Sequence, residues 1–267
     1  MERPEPRPEL AQVENRSSLE NIPEPLRPAI DQAKGLYHEV FGDHLLSIYL
    51  EGSAGRGDYV EGLSDIDMVG IIDRERTPED WERIHQGRDD IMAQHGLDKF
   101  DASVYELDIL NDRPRAQFIL AKDGVLLDGK PYEPTATFPP VGPELAKLLA
   151  AAIPKRITAA HGNLARRRDG EDIDLAFWSR SVGKQVMRLG LGIAMMRKPV
   201  YTASMQDLPG VVKAGVPELS DDVDLLNRAY LEPTDSETDF EHLLAAADRV
   251  RALAEAEGVV EPESEPN

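Results

Sequence analysis

Residues Gly52 to Asp67 read GSAGRGDYVEGLSDID. They follow an apolar run (Leu45, Leu46, Ile48, Leu50) and lead into another (Met68, Val69, Ile71, Ile72). This order predicts a strand, a Gly-Ser turn, a polar loop and a second strand opened by Asp-Ile-Asp. Residues i and i+2 of a strand face the same side, so Asp65 and Asp67 stand together with Ile66 opposite. Two carboxylates so placed repel each other unless a cation lies between them. Hard divalent ions such as Mg²⁺ take oxygen ligands of this kind. Gly52 lets the backbone approach a ligand closely, and amides at a helix start suit phosphate oxygens. Together these parts point to a metal-dependent site that handles a nucleoside triphosphate. The plainer alternative is a Gly-rich hairpin with two exposed aspartates. It does not explain why charged residues begin a strand that then turns fully apolar.

The segment resembles the signature of the DNA polymerase beta-like nucleotidyltransferase superfamily: an apolar strand, Gly-Ser, a spacer, and Asp-x-Asp in an apolar strand. Gly52 and Ser53 match the first part, and Ser64-Asp65-Ile66-Asp67 the second. The resemblance implies an α+β chain, with a small mixed-sheet catalytic domain followed by a C-terminal helical bundle. It also implies two Mg²⁺ ions and ATP as nucleotide donor.

The whole chain sets limits on the partner. Its 267 residues carry 50 acidic and 30 basic groups, a formal charge of -20. Polyanion binding relies on clustered Lys and Arg, so neither DNA nor RNA is expected. A small and perhaps cationic substrate fits better, although an acidic surface also serves solubility alone. No apolar stretch approaches the length of a membrane span, and no secretory signal is evident, so no membrane partner is expected. Zero Cys excludes disulfides and Cys-zinc sites and agrees with a reducing cytoplasm.

Composition and periodicity divide the chain into four parts. Residues 1–20, rich in Pro, Glu and Arg, read as a disordered arm, and 259–267 as a disordered tail. Residues 21–140 alternate helix and strand. A helix is predicted over Leu26–Phe41 and another over Thr77–His95, where Thr77 can cap and Gly96 ends the run. Strands are predicted at Leu45–Leu50, Asp65–Ile72, Phe100–Leu107 and Gly124–Leu127, with a short helix over Ile109–Leu120. Residues 141–258 read as helices: 142–168, 171–196, 204–214, 219–230 and 236–257. This half resembles the helical substrate domain of aminoglycoside nucleotidyltransferases of the streptomycin/spectinomycin adenylyltransferase kind. The likeness rests on Lys184 and Arg188 in a long helix, the turn Arg197-Lys198-Pro199, Leu208-Pro209, and Arg228-Ala229-Tyr230-Leu231. Ser204 and Met205 stand where that family tends to place a phosphate-contacting Lys.

Nucleotidyl transfer needs more than two carboxylates around its metals. Asp101, at the start of a strand in KFDASVYEL, is the expected third acid beside Asp65 and Asp67, as metal ligand or general base. The alternative is an Asp101 that only faces water. Glu106 is the runner-up and faces the opposite side by the period-2 rule. Gly52 and Ser53 are expected to bind phosphate. Arg56 reads either as a bidentate phosphate contact or as a solvated loop residue. Lys184 and Arg188, one helical turn apart, could reach the triphosphate, or could form a basic stripe paired with nearby acids. The spacing Arg156-x4-His161 occurs in some helical RNases and arises easily by chance. The resemblance implies transfer of AMP from ATP to a hydroxyl of a small-molecule acceptor, with an aminoglycoside-like antibiotic as the leading class, an antibiotic-resistance activity. Two rival readings are an antitoxin-type nucleotidyltransferase that modifies a partner protein, and a non-catalytic nucleotide-binding homologue. A protein partner therefore stays open.

Overall fold

The strand that precedes Gly52 lies inside a four-stranded sheet of order β3-β2-β1-β4. The structure, a computed structural model, describes residues 12–262. These fall into two compact units, one formed by Glu14–Phe138 and the other by the chain from Pro139 onward together with residues 12–13.

In the first unit the elements run α1 (Arg27–Phe41), β1 (Leu45–Glu51), α2 (Ser53–Arg56), β2 (Ile66–Ile72), α3 (Pro78–His95), β3 (Phe100–Glu106), α4 (Leu107–Asn111), α5 (Pro114–Asp123) and β4 (Val125–Gly129). β1 is antiparallel to both β2 and β4. β2 and β3 are parallel, and α3 supplies the crossover that parallel neighbours require. One face of the sheet buries Ile48, Leu50, Ile66, Met68 and Ile72 against Ile30, Ala33, Tyr37, Ile84 and Ile91 of α1 and α3. The other face packs Tyr49 and Ile71 against Leu110 and Leu120 of α4 and α5. Gly70 has a packing reason: a Cβ there would stand 2.7 Å from the Tyr37 ring. That gap lets Tyr37 lie across the sheet, where its hydroxyl donates toward Ser103 O at 2.9 Å and Met68 O at 3.1 Å. Thr77 and Asp80 form the capping box that starts α3.

Proline explains where the helices differ from the sequence reading. The single helix expected over Ile109–Leu120 is broken into α4 and α5, because Pro114 lacks an N–H and pushes Arg113 out of helical geometry (φ -120°, ψ 77°). In the second unit the expected helix 142–168 is likewise divided, into α6 (Pro143–Ala150) and α7 (Ile153–Arg168), with Pro154 in the first turn of α7. Then follow α8 (Leu175–Arg197), α9 (Leu208–Gly215), α10 (Ser220–Leu231) and α11 (Glu237–Ala256). α8 is the axis of this unit: α6, α7, α9, α10 and α11 all pack on it. Gly183 allows α10 to approach closely, since a Cβ there would meet Leu226 O at 2.5 Å.

The chain ends deserve separate description. Residues 1–11 of the expected arm and 263–267 of the expected tail lie outside the described residues. The rest of the arm, from Asn15 on, is tied to the first unit by hydrogen bonds to Gly55, Ala121, Asp123 and Gly124. Val259 and Val260, within the expected tail, are buried in the second unit. Low hydropathy over a window does not register a few well-placed amides or two valines. Among the described residues no helix is long and apolar enough to cross a membrane.

Candidate active site

β1 ends at Glu51, and the chain then turns at Gly52 with φ +79° and ψ -155°, a conformation open to glycine alone. A Cβ at Gly52 would stand 3.0 Å from Asp67 Oδ2, so glycine also makes room for that carboxylate. The short α2 follows, closed by Arg56 N–H to Gly52 O at 3.1 Å and Gly57 N–H to Ser53 O at 3.0 Å. The loop returns through Val60 and Ser64, where Val60 N–H donates to Ser64 Oγ at 2.9 Å. Asp65 ends the loop, one residue before β2, with Lys99 Nζ 3.6 Å from its Oδ1.

Strand register brings three acids from distant parts of the chain into one row. Glu51 pairs with Asp67 across β1 and β2, and Asp67 pairs with Asp101 across β2 and β3. Register partners point to the same face, here the face that also carries Tyr49, Ile71 and Tyr105. Asp101 Oδ1 accepts a hydrogen bond from Ser103 Oγ at 3.3 Å. Glu106, the alternative third acid, lies five positions further along β3 with Ile72 as its partner. Its carboxylate accepts from Arg76 N–H at 3.2 Å.

Glu51 is the member that sequence reasoning missed. It ends an apolar run, and nothing local marks it. Only its partnership with Asp67, across the intervening loop, reveals its place. Burial, then Asp67 and Asp123, pushes the Glu51 carboxyl up to about 8, against a smaller opposing effect of Arg115. Burial, with Glu51 next, also raises the Tyr105 phenol. Burial is the larger cause in both, and neighbouring carboxylates add to it.

That charge bears on Mg²⁺. The donors are carboxylate oxygens of the kind hard divalent ions take, and the space a Cβ of Gly52 would fill lies open beside Asp67. The chemistry of the residues therefore fits a divalent cation. Among the described residues, however, no three His, Asp or Glu side chains converge as a ready-made metal cage.

The remaining sequence candidates are placed as follows. Arg56 is not a solvated loop residue: its guanidinium donates to both Asp123 oxygens at 2.6 and 2.8 Å and lies 3.2 Å from Asp58. Ser53 opens α2 directly after Gly52. Lys184 and Arg188 belong to the second unit, half-buried on successive turns of α8. Arg156 and His161 turn to different partners. Arg156 donates to Ser181 Oγ at 2.9 Å and lies over the Trp178 ring, whereas His161 meets Asp248 at 3.1 Å.

Comparison with solved structures finds the same fold, a mixed four-stranded sheet and a helical unit, in a protein whose structure is known. The chain is similar to spectinomycin adenyltransferase AAD(9) from Enterococcus faecialis, whose crystal structure contains ATP and spectinomycin. The TM-score is 0.53 at 12% identity, over 84% of this chain and 99% of that one. No family model matches the sequence, and no curated protein matches it either.

Proposed function

We propose that the protein is an adenylyltransferase that moves AMP from ATP to a hydroxyl of a small-molecule acceptor and releases pyrophosphate. The observation that carries this reading is the row Glu51–Asp67–Asp101 beside the Gly52 turn. It supplies both the anionic centre and the backbone opening that triphosphate chemistry needs.

In the reaction the acceptor oxygen forms a bond to the α-phosphorus while the bond from that phosphorus to the bridging oxygen breaks. Pyrophosphate leaves with the bonding pair. Asp65, Asp67 and Asp101 would hold Mg²⁺, which when bound offsets triphosphate charge and lowers the barrier to ionising the hydroxyl. Asp101 is the group assigned to take the acceptor proton, because it stands at the sheet edge beside Asp67. Gly52 and Ser53 would receive phosphate oxygens. Arg56, held by Asp123 and Asp58, braces the turn and stays the candidate for a phosphate contact there. Lys184 and Arg188 remain candidates for contact with the triphosphate, and residues 141–258 for acceptor binding.

The formal charge of -20 favours an acceptor that is cationic as well as hydroxylated. An aminocyclitol or aminoglycoside is the first class to try, since the similar solved structure holds spectinomycin. The test is incubation with each labelled nucleoside triphosphate, Mg²⁺ and a panel of hydroxylated small molecules, following pyrophosphate. Release that requires ATP and one class of acceptor supports the reading. Absence of release with every combination overturns it.

A further inference from the structure

The stretch 15–21 runs along the outside of the Gly-Ser turn. Ser18 N–H and Asn21 Nδ2 both donate to Gly55 O, each at 3.0 Å. Gly55 lies in α2, whose terminal carbonyls have no partner within so short a helix. Asn21 Nδ2 also donates to Arg16 O at 3.1 Å, which folds the stretch onto itself. Further back, Asn15 Nδ2 donates to Gly124 O at 2.9 Å and Ser17 Oγ to Asp123 O at 3.0 Å. Asp123 is also the residue whose carboxylate holds Arg56 of the turn. A Cβ added at Gly55 would lie 3.0 Å from Val125 Cγ2 and 3.5 Å from Ser17 Cβ, so the stretch is packed on this turn as well as bonded to it.

A four-residue helix cannot sustain itself, because nucleation costs more than one turn of hydrogen bonds returns. α2 must therefore be held from outside, and its first neighbour, Gly52, is what packs against Asp67. We propose that residues 15–21 are a strap that positions the Gly52–Gly57 turn for the nucleotide, with Asn21 as its principal positioning residue. Asn15 secures the strap's far end on the α5–β4 junction. This rests on the adenylyltransferase reading for the nucleotide, but the holding of the turn can be measured without it.

The experiment uses the full chain and the variants Asn21→Ala and Asn15→Ala. Asn15 is exposed and Asn21 half-buried, and neither belongs to the hydrophobic core. Amide hydrogen exchange is followed at Arg56, Gly57 and Asp58, whose N–H groups close the turn. Equilibrium binding of Mg·ATP, and KM and kcat for ATP from pyrophosphate release, are measured alongside. The expected result is faster exchange at those amides with α8 unchanged. KM should rise about threefold to tenfold while kcat changes little, as for the loss of one or two hydrogen bonds. Unchanged exchange, or faster exchange spread equally over α8, overturns the strap. A loosened turn with unaltered KM overturns its role toward the nucleotide. A wild-type chain that binds no Mg·ATP overturns the functional reading instead, whatever the exchange shows.

Discussion

Asp67 and Asp101 are register partners across the parallel pair β2 and β3, although thirty-three other residues separate them in sequence. Parallel neighbours lie about 4.8 Å apart, so the two side chains stand side by side on one face of the sheet while Glu106 faces the other. Asp101→Ala should cut turnover by about a hundredfold or more, the scale seen when a group acting in the transition state is removed. ATP binding should survive, because Asp65, Asp67 and the Gly52 turn remain. Glu106→Ala should be mild. Steady-state kinetics of the two variants decide the matter, and the reverse ranking would exclude Asp101 as the third acid.

Gly52→Ala should damage both fold and activity. The φ of +79° is costly for any L side chain, and the new methyl would meet Asp67 Oδ2 at 3.0 Å. A loss of about 1–3 kcal/mol is expected from the backbone alone. Urea denaturation of wild type and variant measures it. A variant as stable and as active as wild type would mean that the turn does not need glycine.

Glu51 makes the metal-free protein sensitive to pH. An ordinary glutamate loses its proton near 4.5, but folded Glu51 keeps its proton up to about 8. Between those values folding takes up a proton, so this contribution to stability is present at low pH and fades as pH rises through about 8. Glu51→Gln should flatten the pH dependence and match or exceed wild-type stability at pH 8. Mg²⁺ should stabilise wild type more at pH 8 than at pH 6. Parallel melting-temperature profiles for the two proteins would contradict this.

Duplex DNA should bind weakly or not at all at physiological salt, given the formal charge of -20. Gel-shift titration tests this, and tight, salt-sensitive binding would revive a polymerase-like reading.

Much of the first unit could be read from local pattern. β1, β2 and β3 lie where alternation and the Gly-Ser turn place them, and the Thr77 cap marks the start of α3. These signals act over a few residues, so a sequence window contains them. What escaped depends on distance along the chain. Glu51 acquires meaning only from its pairing with Asp67. The ion pair of Arg56 with Asp123 escaped because Asp123 is remote in sequence. The strap has too few apolar residues to stand out, since side-chain amides hold it to backbone carbonyls. Pro114 and Pro154 were visible, and the helices they divide show that backbone chemistry overrides apolar periodicity.

The central claim is that Asp67 anchors a metal-dependent adenylyl transfer. It is tested most directly by pyrophosphate release from Mg·ATP, with a hydroxylated cationic acceptor, in wild type and Asp67→Asn. The account predicts release by wild type that chelation abolishes. The variant should lose about a hundredfold or more in rate, while its melting temperature stays equal or higher because one carboxylate of a repelling row is gone. Equal rates in the two proteins, or release that persists in excess chelator, would contradict it.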